Sequence, residues 1–382
     1  MATTRRRFCS TAAALLLTQS LRGQSTNPQS TARPDVASID HDRVIRQADA
    51  ALGQPVTPLT SINADRSPGP VHDYFSEPSD QPDAFLAHRD ALFSLGHIVP
   101  ALAAAYAITH DERYAKKAVE NIEAWLVTDG TSMTPTLEFA QVATGAKAGR
   151  PEGLLEGLPL VEIAQSVPFL VNSEAFSEAS VAAVTKWFTS YLDWLNTSRT
   201  AGLARDMRDH NGSSWLLQAV ACAKLNTKDD RALTTLRHQF RSTTIRAQIS
   251  FDGNFQRELT TPNPYRNTLF NLDMLAGICD LLSTRFESVW TYELQDGPGM
   301  HVAIARNYPF IANRGSWPYK ADASSFTMLP LRRPALLLAA RAYSRPEYAD
   351  TWKTLPADSP NAELDHSFPI RQPILWVTRP RP

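Results

Sequence analysis

Arg208, Asp209, His210 and Asn211 form a polar knot directly ahead of an apolar run, in the stretch RDHNGSSWLLQAVACAKL. The spacing predicts a helix capped by Ser213 or Ser214, with Trp215, Ala219, Cys222 and Leu225 as its buried stripe. An imidazole and an amide at a helix N-terminus sit where free N–H groups and the dipole favour an anion. A second cluster follows in FDGNFQRELTTPNPYRNTLFNLDML, residues 251–275. A turn at Asp252, Gly253 and Asn254 leads to Arg257 and Glu258, and a proline-broken loop carries Tyr265 and Arg266 into another apolar helix. Imidazole, amide, phenol and guanidinium are the groups that neutralise a sugar carboxylate and move protons beside it. A plainer reading stands beside this one: His210 and Asn211 as a helix cap, Arg257 with Glu258 as an ordinary ion pair, and Tyr265 as a packed aromatic.

Three long loops supply further polar groups. Residues 55–82 contain His72 and Tyr74, and residues 131–150 contain Gln141 and Arg150. Loops this long inside a compact domain are usually functional, although loop-fixing hydrogen bonds also account for such residues. Residues 312–323 carry Trp317, Tyr319 and Lys320, a set suited to stacking on a sugar.

The elements that must position these groups read as helices. Apolar residues at three-to-four spacing predict helices over residues 34–48, 83–108, 158–170, 300–308 and 334–343. Pro100 should kink or split the second of these, and Thr109 to Glu112 has the capping-box form for the helix that follows. Ser177 opens a strong helix, and Thr227-Lys228-Asp229-Asp230 begins another. About ten helices with almost no alternating pattern predict an all-α domain. Repeated αα-hairpins of this kind can close into a toroid whose long loops crowd one face.

Composition narrows the function classes. The 382 residues hold 38 Lys and Arg against 39 Asp and Glu, a net charge of -1, which argues against nucleic acid. A polyanionic substrate would therefore need a local basic cleft. Arg5, Arg6 and Arg7 precede an apolar run at residues 12–17, which reads as a twin-arginine-like export signal over residues 1–25, followed by a linker at 26–33 and one domain at 34–382. Removing the signal takes four arginines and leaves 34 basic against 39 acidic residues. The apolar run is too short to span a bilayer, and no other stretch is expected to. Cys222 and Cys279 fall in apolar helices and are expected as buried free thiols. No metal-ligand spacing occurs, so neither a metal nor a cofactor is expected.

Several segments, in order, resemble the alginate lyase family of secreted polysaccharide lyases. They are residues 72–76 (HDYFS), 111–115 (DERYA) with Trp125, and 131–145 (TSMTPTLEFAQVATG) with Gly149 and Arg150. Residues 211–218 (NGSSWLLQ), Asp252-Gly253 with Glu258-Leu259, 269–273 (LFNLD) and Trp317-Pro318-Tyr319 complete the set. The family usually has an Asn-Asn-His run where this chain reads Asp209-His210-Asn211. Thr261, Pro262 and Asn267 stand where it has Arg-Thr and a Tyr, with Tyr265 and Arg266 alongside.

The resemblance implies an (α/α) toroid and β-elimination of a uronate-containing acidic polysaccharide. That reaction removes the C5 proton and expels the 4-linked oxygen, and the carboxylate must be neutralised first. His210 and Asn211 are then expected to neutralise and orient, Tyr265 to transfer the proton, and Arg257 or Arg266 to supply charge. His72, Tyr74, Gln141, Arg150, Trp317, Tyr319 and Lys320 are the expected sugar contacts. Two alternatives are a glycoside hydrolase, using a pair from Asp209, Asp252, Glu258 and Glu138, and a glycan-binding protein without turnover.

Overall fold

The computed structural model describes residues 33–226, 230–359, 361, 364–365 and 370–380. The expected export signal, most of the linker and the helix start at Thr227 lie outside the described residues.

Fourteen α-helical segments run through the described residues: α1 (Val36–Leu52), α2 (Ala87–Thr109), α3 (Glu112–Leu126), α4 (Pro159–Leu170), α5 (Glu178–Thr197), α6 (Arg199–Arg205) and α7 (His210–Leu225). Then come α8 (Asp230–Gln239), α9 (Ile245–Gln248), α10 (Pro264–Leu282), α11 (Met300–Ala312), α12 (Pro334–Tyr343), α13 (Pro346–Thr354) and α14 (Ile374–Val377). Strand structure among the described residues is limited to two isolated bridges, Phe75 to Phe139 and Glu293 to Gly299. The architecture is an all-α (α/α) toroid of helical hairpins.

Three local expectations change. Pro100 sits inside an unbroken α2, and Gly96 one turn earlier lets α4 come close: a Cβ there would lie 2.5 Å from Pro159. Thr109 closes α2 instead of capping α3; His110 takes a left-handed conformation and Asp111 becomes the cap, accepting the Arg113 N–H at 3.0 Å. A short helix, α13, forms where the sequence pattern was silent.

The core lies around α7 and α10, which pack on each other. Every residue from Asn211 to Ala223 is buried, so α7 carries no single stripe. Asp273 of α10 is buried with Arg333 at 3.1 Å and also caps α12 through the Ala335 N–H. Burial raises its carboxyl to about 6 even with that guanidinium beside it. By length and composition α2 is apolar enough to cross a membrane, contrary to the expectation for the mature chain; it is mostly buried, as a core helix is. Cys222 and Cys279 are buried and free.

Candidate active site

Helix α7 begins at His210, four residues earlier than a Ser213 cap would place it. Asp209 is the cap, accepting the Asn211 N–H at 3.0 Å. Ser213 and Ser214 lie inside the first turn and donate to the His210 carbonyl at 3.2 and 2.5 Å. The next loop supplies Glu258, fully buried, which accepts the His210 backbone N–H at 2.7 Å and lies 2.9 Å from Nδ1. An acceptor-only carboxylate makes Nδ1 the donor and leaves Nε2 with its lone pair. Nε2 has no hydrogen-bond partner among the described residues. Burial pulls the imidazole pKa down, but the hydrogen bond and charge of Glu258 outweigh it and hold the group raised.

Two long loops, zipped together, build the opposite wall. Thr134 N–H donates to the His72 carbonyl, Ser76 N–H to Phe139, and Val142 N–H to Ser76. Glu156 lies buried behind them and accepts from Tyr74 Oη (2.8 Å), Ser76 Oγ (2.5 Å) and Gln141 Nε2 (3.0 Å). Burial raises its pKa, and those three donors only oppose the rise. Gln141 takes a left-handed backbone, φ 56°, and its amide oxygen accepts from Arg150 at 2.5 Å. A non-glycine residue at that φ is strained and needs surroundings that over-determine it. Gly149 is one such surrounding: a Cβ there would lie 2.2 Å from the Ala140 carbonyl oxygen.

The start of α10 closes the third side. Asp322 accepts the Tyr265 N–H at 2.8 Å and the Arg266 N–H at 3.0 Å, fixing the first turn. Arg266 Nε donates to Asn267 Oδ1 at 3.3 Å, and Asn267 Nδ2 to Thr261 Oγ1 at 3.1 Å. Between the walls is a cleft of about 270 Å³, lined by Arg89, Gln141, Glu156, His210, Arg266 and Asn267 with Phe93 and Phe270. It joins a held imidazole, two guanidiniums, two amides and a buried carboxyl. Such a set can bind a carboxylate and take a proton next to it.

The alginate lyase family profile matches residues 29–317. The chain belongs to the alginate lyase family. It is a polysaccharide lyase, a carbon–oxygen lyase of an alginate-like glycan. Among solved structures it is similar to an alginate lyase from Bacteroides ovatus, at 22% identity and TM-score 0.75, covering 90% of this chain and 94% of that one. It is also similar to alginate lyase A1-III from Sphingomonas species A1, at 13% identity and TM-score 0.54, over 92% and 98% of the chains. A complex of alginate lyase A1-III with a tetrasaccharide gives 14% identity and TM-score 0.55, over 93% and 99%. No curated protein sequence matches it.

In this lyase the structure gathers only some of the expected residues. His210, Arg266 and Gln141 line the cleft, and Arg150 stands behind Gln141. Tyr265 does not: it is 0% exposed, its hydroxyl donates to the Phe310 carbonyl at 2.8 Å, and Trp317 and Phe326 pack on its ring. Contrary to expectation, its hydroxyl is held in the core, away from any substrate proton. Trp317 is buried against Tyr265 and Phe310 with its indole N–H on the Lys320 carbonyl, so it offers no stacking face. Tyr319 accepts from Arg306 Nη2, Lys320 is exposed, and neither lines the cleft. Arg257 is exposed outside it. Asn211 is buried and donates to Asp209 at 2.9 Å rather than reaching the cleft. His72 ties one loop to the other through the Ser132 carbonyl, and Tyr74 is buried under Glu156.

The expected free anion site at α7 is also absent. Glu258 and Asp209 already take the first N–H groups. The carboxylates considered for hydrolysis are likewise occupied: Asp252 with Ser250 and Asn254, Glu138 with Trp194 and Ser198. Sequence reasoning missed Arg89, Glu156 and the pairing of Glu258 with His210. A lone Glu156 inside the apolar run GLLEGLP was the available signal.

Proposed function

We propose that this lyase uses His210 Nε2 as the base that removes the C5 proton of a uronate bound in the cleft. The observation that carries this reading is the imidazole held by buried Glu258 at the cleft wall, its second nitrogen without a partner among the described residues. Arg266 and Arg89 face the substrate carboxylate. Gln141 presents an amide to it, and Glu156, its pKa raised by burial, lies at the same wall. As the proton passes to Nε2, the C4–C5 double bond forms and the C4–O4 bond breaks. The imidazolium returns the proton to the departing O4. Glu258 stabilises the imidazolium and holds the tautomer, the role an acidic partner plays for a catalytic His elsewhere.

The test is to incubate the purified protein with mannuronan, guluronan, glucuronan and hyaluronan and follow the near-ultraviolet absorbance of unsaturated uronate. The base must be neutral, so activity falls as pH drops through the raised His210 pKa. Glu258→Gln removes that support, and the acid limb should move to lower pH. A limb that stays in place in an active Glu258→Gln protein would exclude His210 as base. Residues 1–25 we assign to export on the strength of Arg5, Arg6 and Arg7 ahead of the apolar run. Cell fractionation with and without two lysines in place of Arg6 and Arg7 tests it; unchanged location rules out the twin-arginine route.

A further inference from the structure

A second hollow lies beside the same catalytic turn. It measures about 370 Å³, larger than the cleft, and the two share no lining residue. Arg208 and Gly212 line this recess, while His210 between them lines the cleft. Its walls bring Arg205, Arg208 and Arg246 together against one carboxylate, Asp206. Arg208 is exposed and makes no hydrogen bond or ion pair among the described residues. Arg205 pairs with Asp206 and Arg246 with Asp296, both across exposed ion pairs, which a ligand carboxylate exchanges at little cost. Its volume falls within the range of small-ligand sites.

The floor adds an independent sign. Between α8 and α9 the helix widens into a π-helical turn, Phe240–Thr244, a rare feature that concentrates at functional sites. This turn puts the exposed hydroxyls of Ser242 and Thr243 into the recess, where among the described residues they bond only to each other, at 3.3 Å. Guanidiniums beside hydroxyls and amides suit a carboxylated, polyhydroxylated ligand.

We infer that this recess is a second binding site for a uronate residue of an acidic glycan, separate from the catalytic cleft. The ligand class rests on the proposed reading of the substrate; the basic recess does not. Gln248 connects the two hollows. It lines the recess, donates to the Asp209 carbonyl at 2.8 Å, and accepts from Asn271, which in turn takes the Ser213 hydroxyl at 2.5 Å. An occupied recess thus bears on the turn that carries His210.

The test is equilibrium dialysis of labelled, saturated dimannuronate against the full chain carrying His210→Ala, which keeps the probe intact. Two molecules per chain are expected, and one after Arg208→Ala and Arg246→Ala are added. A count unchanged by the two arginine substitutions overturns the recess. A fall from one to none keeps the recess and sinks the cleft instead, so the two readings fail separately. Arg208→Gln with Arg246→Gln gives the same readout if the alanine pair lowers the melting temperature. Dimannuronate with its carboxyls reduced to alcohols should leave the recess empty; equal binding overturns the assignment. Inorganic phosphate should displace the sugar only above about a tenfold excess, or ~1.4 kcal/mol. Displacement at equal concentration reassigns the recess to phosphate and overturns the sugar.

Discussion

The openings of α7 and α10 are built alike and used differently. Each starts at the cleft, and each has its first N–H groups taken by protein carboxylates, Asp209 with Glu258 in one case and Asp322 in the other. At α7 the first residue, His210, reaches the cleft and the second, Asn211, turns inward. At α10 the second residue, Tyr265, is buried, and the next two, Arg266 and Asn267, face the cleft. Successive residues on a helix point about 100° apart, so Asn211 leaves the cleft that His210 enters, and Tyr265 is buried beside Arg266, which faces it. Residue type alone does not choose between them. A phenol with its hydroxyl on a buried carbonyl is structure, whatever chemistry it offers on paper.

The largest expected effect is at His210: His210→Ala should lower kcat by about a thousandfold, within the range general acid–base catalysis supplies, read as unsaturated-uronate absorbance. Should Tyr265→Phe cause the larger loss instead, the two helix openings have been assigned the wrong way round. Next comes Arg266→Ala, expected to cost ten- to hundredfold in kcat/KM, from roughly 1.5–3 kcal/mol for a charge-assisted hydrogen bond. Arg257→Ala, outside the cleft, serves as the control and should do little.

Asp322→Ala should act on stability, lowering it by about 1–2 kcal/mol through loss of the α10 cap, measured by denaturant unfolding. A matching loss of kcat/KM would show that the cap also aims Arg266. The smallest effect is expected from Tyr265→Phe: about 0.5–1.5 kcal/mol of stability for the lost hydrogen bond, with kcat within threefold of the parent. Retained activity in that variant is the sharpest support for keeping Tyr265 in the core.

The two walls of the cleft differ in how well the sequence announced them. The loops at 55–82 and 131–150 were legible by length, and Gln141 with Arg150 by polarity. Their joining was not, because Ser76 and Phe139 bond across more than sixty residues of intervening chain. Glu156 and Glu162 make the same point. Each is a lone acid in an apolar run, and each is buried with a raised pKa. Glu162 takes the backbone N–H groups of Arg371 and Gln372 and the Trp376 indole, which pins the C-terminal segment. Glu156 faces the cleft. Pattern marks both as special, and only their distant partners tell them apart.

The amino-acid sequence by itself determined the helical class, most helix positions, the two polar segments and the family, because periodicity, turn residues and motif order are local. Tertiary structure decided which polar residues meet. His210 acquires its role from Glu258, forty-eight positions away, and Tyr265 loses its expected role to the Phe310 carbonyl, forty-five positions away. Hydrogen-bond partners and burial set the protonation and reach of each group, and both arise only when the helices pack.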